Sequence, residues 1–317
     1  SLLKDIGEPV NPAELDSVMS IGEILSSAYF SHLLSQNGLP AQAFTGSQAG
    51  ILTDDNPGDA EILGINPSRI RSALKAGKIA VVAGFQGATA EGDVRTLGRG
   101  GSDTSAIALA SALNAEKVEI YSDVDGIANC DPRQISEAAF MDSVSAAQIL
   151  SMADEGSKVI HPRAIKASLQ TKTPIIARNT FSNASGTTIF HGSPDEESNQ
   201  VTLAHRDEMC LIEFESKTDA QKSVPEMIPI DERRFVLKND VYLENRIKEL
   251  QNKLGALRKE NGWATISVVF DKSASESMNL PDTEIIPSGK NVICYLLKED
   301  LLQSTLRTLY GQYISVV

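Results

Sequence analysis

The run Thr96-Leu97-Gly98-Arg99-Gly100-Gly101-Ser102-Asp103 holds the residues best suited to chemistry. Its three glycines precede an alanine-rich segment predicted to be helical over Thr104 to Asn114. Glycine lets a backbone approach a ligand closely, and the first amides of a helix, reinforced by its dipole, face an anion. Arg99 can hold a carboxylate or phosphate through two parallel hydrogen bonds. Asp103 can cap the helix or bind an amine. A cation and a carboxylate on one short loop suit a zwitterion such as an amino acid. A glycine-rich turn with an N-cap would use the same residues, so the rest of the chain decides.

The elements that must position this loop alternate between strand and helix. A helix is predicted over Leu15 to Leu34, from apolar residues at helical spacing, and a strand over Ala41 to Phe44. Pro67 to Ala76 reads as a helix with Asn66 as cap, and Ile79 to Gly84 as a strand. After the loop come a strand over Lys117 to Ser122, a turn at Asp123 to Gly126, helices over Val144 to Met152 and Pro162 to Gln170, and a strand over Pro174 to Arg178. This alternation predicts an α/β domain with a mostly parallel sheet covered on both faces, whose ligands lie beyond the carboxyl ends of the strands. The polar segment His191 to Asn199 reads as a linker. Beyond it, strands at Met209–Phe214, Arg234–Leu237, Ala264–Phe270 and Val292–Leu297 accompany helices around Leu243–Leu257 and Asp300–Tyr310. The two helices recur at comparable places, which predicts two related α+β modules.

Composition narrows the function. The 317 residues suffice for two domains, and 41% hydrophobic with 22% charged residues is ordinary for a globular chain. The net charge of −13 argues against a nucleic-acid or anionic-membrane surface. Three scattered cysteines, Cys130, Cys210 and Cys294, read as reduced thiols, and the four histidines lack metal-ligand spacing. No apolar run is long enough to span a bilayer, so a cytoplasmic location is expected, or a plastid one for a plant protein.

Several motifs now stand in order: Gly22-Glu23; Thr45-Gly46-Ser47-Gln48-Ala49-Gly50; Gly84-Phe85-Gln86-Gly87; Leu97 to Asp103; Ser122-Asp123-Val124-Asp125-Gly126; Asp131-Pro132-Arg133; and Gly156-Ser157-Lys158-Val159-Ile160-His161-Pro162. Together they resemble the aspartate kinases of the amino-acid-kinase family over roughly Glu14 to Gly192. The resemblance implies a three-layer α/β sandwich as residues 1–192, paired ferredoxin-like ACT modules over 200–317, and ATP-dependent phosphorylation of the L-aspartate β-carboxylate. That reaction opens lysine, threonine, methionine and isoleucine biosynthesis. By the same resemblance, Arg99 holds the aspartate α-carboxylate, Asp103 and Glu23 surround its ammonium, and Ser102 donates nearby. Gly22 would let a ligand come close to Glu23. Ser122, Asp123, Arg133 and Lys158 serve the nucleotide. Magnesium accompanies ATP, bound by phosphate oxygens and water, with no protein ligand assigned. His161 reads as a structural residue opening a helix, because an ionised carboxylate needs no general base.

The chain also departs from the family. The Lys-x-Phe-Gly-Gly loop that stabilises the transferring phosphoryl group has no counterpart after Ser1, and Lys4 does not replace it; residues preceding Ser1 are expected to supply it. A catalytically inactive ligand-binding chain of the same family is the alternative, and an intact mass well above that of these 317 residues would favour the enzyme. Ala128 stands where many relatives place a tyrosine near adenine. In the ACT-like region the helices that would bind lysine or threonine as effector look shortened. A homodimer is expected, since edges of small antiparallel sheets invite pairing.

Overall fold

The computed structural model describes residues 11–157, 160–192, 200–272 and 277–314, without the side chains of Gln170 and Thr171. Lys158 and most of the predicted linker lie outside them. The chain divides into two compact units. The first comprises Ser1–Asp123, Ile160–Ser182 and Thr188–His191; the second comprises Val124–Val159, Asn183–Thr187 and Gly192–Val317.

In the first unit, helix α1 (Pro12–Gln36) leads to β1 (Ala41–Phe44), β2 (Ile51–Thr53), β3 (Ile62–Ile65), α2 (Ser68–Lys75) and β4 (Ile79–Val82). The hairpin β5 (Gln86–Ala88) and β6 (Val94–Thr96) then feeds α3 (Gly101–Leu113), followed by β7 (Val118–Ser122). Strand β1 pairs in parallel with β4, and β2, between β3 and β5, pairs in parallel with β5. Phe44, Ile51, Ile70 and Leu109 bury their side chains together between these layers. Pro67, not Asn66, is the N-cap of α2, which starts one residue later than expected; the Asn66 side chain accepts from the Ser68 amide at 3.3 Å.

Helix α1 forms where the apolar spacing predicts it, yet Ile21, Leu25 and Tyr29 are 57%, 69% and 65% exposed, whereas Asp16, Ser20, Ser27 and Ser31 are buried. The inward face packs over β1, β4 and β6. Small side chains allow close approach, and their hydroxyls bond within the helix, Ser20 to the Ser17 carbonyl at 2.8 Å and Ser27 to that of Ile24 at 2.9 Å. Polar contacts replace apolar ones: Gln86 Nε2 donates to the Ser20 carbonyl at 3.1 Å, and the buried Asp16 carboxylate accepts from the Gly58 amide at 3.0 Å and from Thr96 Oγ1 at 2.6 Å.

After β8 (Ser143–Ser145) and α4 (Ala146–Asp154), α5 (Pro162–Thr171) packs against α3. His161 is its N-cap, Nδ1 accepting from the Arg163 amide at 3.3 Å. This is the structural role expected of His161. Strand β9 (Ile175–Asn179) pairs in parallel with β7, and β10 (Thr187–Phe190) follows.

The second unit is dominated by one antiparallel sheet in the order β12 (Ile228–Pro229), β13 (Arg234–Lys238), β11 (Val201–Phe214), β14 (Leu257–Phe270), β16 (Val292–Lys298) and β15 (Thr283–Ile286). The two predicted modules are therefore not separate sheets. Strands β11 and β14, 14 residues each, pair from Val201↔Phe270 to Phe214↔Leu257 and merge them. Each half keeps its own core. Helix α6 (Leu243–Leu254) covers Cys210, Ile212, Phe214 and Phe235, and α7 (Leu302–Tyr313) covers Ala264, Ile266, Val268 and Tyr295. Register shifts between Arg206 and Cys210 reset the alternation, so odd-numbered Leu257 and even-numbered 264–270 both meet a helix. After Phe214 a single 3-10 turn, Ala220–Lys222, stands where an effector helix was expected. Among the described residues, no helix is long and apolar enough to cross a membrane.

Candidate functional site

The loop at the start of α3 is built from local constraints. Leu97 is fully buried, and its amide donates to the Phe85 carbonyl at 2.9 Å. Gly98 and Gly100 have φ of 69° and 70°, the left-handed region that side chains avoid. Neither has room for one: a Cβ on Gly98 would lie 2.7 Å from Asp59 Oδ1, and one on Gly100 would lie 2.3 Å from His161 Cβ. The helix begins at Gly101, three residues before the predicted start, with Gly100 as N-cap. Asp103 is therefore not the cap. It sits in the first turn, where its side chain is free to face a ligand. Among the described residues, the amides of Ser102 and Asp103 have no acceptor within the chain.

These residues line a cavity of about 470 Å³ with Met19 and Glu23 from α1 and Phe85 from the turn after β4. Glu23, Arg99, Ser102 and Asp103, predicted from sequence to share a ligand, thus share one cavity. Glu23 Oε2 is buried there without a hydrogen-bond partner. A buried carboxylate oxygen lacking a donor is costly unless a ligand supplies one. Burial raises the Asp103 carboxyl above its ordinary range, with nearby His161 opposing the shift. Arg99 is exposed, and no hydrogen bond or ion pair among the described residues engages its guanidinium. The cavity therefore brings together one free cation, two helix N-terminal amides and two carboxylates, of which Glu23 has a buried oxygen without a donor.

Gly22 was expected to admit a ligand, but it faces outward with nothing within 4 Å of its Cβ position and does not line the cavity. Sequence reasoning missed Met19 and Phe85. Met19 lies one turn before Glu23. Phe85 has φ of 68°, rare for a bulky residue, and its amide donates to Ser105 Oγ at 3.2 Å. The only sequence signal was its place between Gly84 and Gly87.

Of the residues assigned to the nucleotide, Ser122 and Asp123 follow one another at the carboxyl end of β7, both exposed. The Ser122 carbonyl accepts from the amide and hydroxyl of Thr180, each at 2.9 Å. Phe181, next in the chain, is 87% exposed. Arg133 belongs to the second unit and forms a bidentate pair with Asp131, at 2.7 and 3.0 Å. Lys158 lies outside the described residues. Among those described, no group of three or more His, Cys, Asp or Glu could hold a metal ion. A second cavity, about 480 Å³, lies in the second unit beside Glu155, Arg206 and Lys238. Its cations are already paired, Arg206 with Glu155 at 3.1 Å and Lys238 with Asp207 at 3.1 Å, so it lacks the free charges of the first.

The sequence profile of the amino acid kinase family matches residues 3–179. Aspartokinase 1 of Bacillus subtilis is 46% identical over 180 residues, covering 57% of this chain and 45% of the relative. The aspartokinase of Corynebacterium glutamicum is 46% identical over 189 residues, covering 59% and 45%. The chain thus spans about half the length of these curated relatives. The crystal structure of Escherichia coli aspartokinase III with lysine and aspartate superposes with a TM-score of 0.78 at 24% identity, over 96% of this chain and 76% of that one. That likeness extends the shared fold through the antiparallel sheet of the second unit, beyond the reach of the profile. Since the profile takes in more than half of the residues, including both the helix bearing Glu23 and the loop bearing Arg99, the chain belongs to the amino acid kinase family.

Proposed function

We propose that this chain serves an aspartate kinase, transferring the γ-phosphoryl group of ATP to the β-carboxylate of L-aspartate. The observation that carries the reading is the cavity lined jointly by a free Arg99 guanidinium, Glu23, whose buried oxygen lacks a donor, and Asp103. An α-amino acid presents the matching charges on adjacent groups. Arg99 takes the α-carboxylate, Glu23 and Asp103 take the ammonium, and the Ser102 and Asp103 amides add donors at the helix N-terminus. The names of the relatives agree with this substrate. So does the aspartate held by the Escherichia coli enzyme.

With aspartate so held, its β-carboxylate oxygen attacks the γ-phosphorus. The new O–P bond forms as the bond to the β,γ-bridging oxygen breaks, and ADP leaves with that electron pair. The nucleophile is ionised at neutral pH, so the protein positions charge rather than moving protons. Ser122 and Asp123 at the tip of β7, with Arg133 and Lys158, serve the nucleotide. Magnesium, when bound, neutralises phosphate charge. The exposed Asp123 carboxylate would suit a contact through the ion's water shell, with no protein ligand assigned to the ion itself. Residues 200–317, part of the second unit, are read as paired ACT-like modules that bind an amino-acid effector such as lysine or threonine and join two chains.

Coupled ADP release tests this. The protein should turn over with aspartate and not with glutamate, and Arg99→Ala should raise KM for aspartate by roughly 10- to 200-fold, the loss of one charge-assisted pair of about 1.5–3 kcal/mol, with KM for ATP little changed. Equal effects on both substrates would sink the assignment of Arg99.

A further inference from the structure

Arg163 occupies the first turn of α5, where a cation opposes the helix dipole. Something must compensate, and its contacts show what. Nη1 donates to the Leu97 carbonyl at 2.5 Å and to Asp59 Oδ1 at 2.7 Å, and Nη2 donates to the Ala60 carbonyl at 2.5 Å. Leu97 and Ala60 are fully buried. We infer that Arg163 is a positioning residue, setting the Gly98–Asp103 loop so that Arg99 and Asp103 line the cavity with Glu23; this rests on the aspartate-kinase reading of that cavity.

The loop enters from Thr96-Leu97, and both residues are tied to the same turn at 58–60. The Ala60 amide donates to the Thr96 carbonyl at 2.9 Å, and the buried Asp16 carboxylate joins the Gly58 amide to Thr96 Oγ1. Asp16 lies on α1, two turns before Glu23. Helix α1, the 58–60 turn and the loop entry are therefore one hydrogen-bonded assembly, and Arg163 adds α5 to it. The start of α5 touches the loop at two points, Arg163 on the Leu97 carbonyl and His161 against Gly100. Arg99 lies between those two points in the chain. Any shift of Leu97 relative to α5 changes where Arg99 emerges.

Arg163 itself is not poised to bind substrate. Both terminal nitrogens are occupied by protein oxygens, and its side chain is largely covered. It acts through the loop. The fork is essential to the arrangement, because two carbonyls and a carboxylate are reached from one planar group. A lysine carries the charge but cannot span all three.

The test compares Arg163→Lys and Arg163→Met with the parent protein by steady-state kinetics and by amide hydrogen exchange at residues 97–103. Misplacing a binding group by about 1 Å can cost roughly 100-fold. KM for aspartate should rise at least tenfold in both variants, with KM for ATP within twofold and exchange accelerated at Leu97 and Gly101, whose amides donate to the Phe85 and Gly98 carbonyls. Arg163→Lys keeps the charge, so it remains informative if Arg163→Met fails to fold. Equal rises in both KM values, or an unchanged aspartate KM in folded Arg163→Lys, would overturn the inference. If the parent shows no aspartate-dependent ADP release, the aspartate-kinase reading fails by itself. Exchange then decides the positioning role: protection at Leu97 and Gly101 unchanged in Arg163→Lys refutes it, and faster exchange there supports it.

Discussion

Replacing Gly100 by alanine should damage the protein far more than one added methyl suggests. The backbone there has φ of 70° and ψ of 13°, a left-handed conformation that costs an L-residue about 1–2 kcal/mol. The new Cβ would lie 2.3 Å from His161 Cβ and 2.5 Å from its Cγ. His161 cannot simply withdraw, because its ring caps α5 by accepting from the Arg163 amide. Relieving such overpacking typically costs a further ~1–3 kcal/mol. The sum is about 2–5 kcal/mol, a large share of the 5–15 kcal/mol that holds a typical domain together. Urea denaturation with linear extrapolation measures it, and calorimetric titration of aspartate measures the accompanying loss of binding. Gly22→Ala is the control. It adds the same methyl inside a helix with nothing within 4 Å, so it should stabilise by roughly 0.5–1 kcal/mol. A Gly100→Ala protein within about 0.5 kcal/mol of its parent, binding aspartate normally, would refute the claim that α5 supports the loop at this point.

Two further outcomes follow from burial. Asp103 has its carboxyl raised by burial, so between its ordinary range and the raised value the folded state holds a proton that the unfolded state has lost. Its contribution to stability is present at acid pH and lost as pH rises through that window. Asp103→Asn should therefore show a shallower fall in melting temperature across that window, and no lower a midpoint at neutral pH, while losing affinity for aspartate; a steeper fall would reverse the sign of the argument. Burial also pushes the Cys130 and Cys294 thiols up to about 12 and raises that of Cys210. All three are buried, so Ellman's reagent should label none rapidly in the native protein and all three after denaturation. Prompt labelling of the native chain would show that these cores open readily.

The groups proposed to bind ligand were legible in the sequence because their chemistry is local. Arg99 and Asp103 stand four residues apart among glycines that few other local structures need. Ser122 and Asp123 were assigned by the family resemblance, at a turn that the parallel α/β pattern places at a strand's carboxyl end. The groups that hold these residues were not legible. Asp16 is one acid among many on a polar helix turn, and Arg163 follows a proline at a helix start where a cation has no local reason to be. Their meaning depends on partners 42 to 104 residues away. The same limit explains why the buried face of α1 does not follow from its apolar spacing. Apolar spacing marks the inner face only when hydrophobic burial holds the helix, and here Asp16 and Gln86 hold it through hydrogen bonds while serines fill the contact. In the second unit, repeated spacing revealed two helix-covered halves but not the pairing of β11 with β14. That pairing is set by strand length: both strands run on past their own modules and meet along 14 residues. Ligand-contacting groups leave a local signature because the ligand dictates their type and spacing. Supporting groups answer only to the geometry of distant backbone, so changes at Asp16, His161 or Arg163 can alter substrate binding while the Gly98–Asp103 motif stays intact.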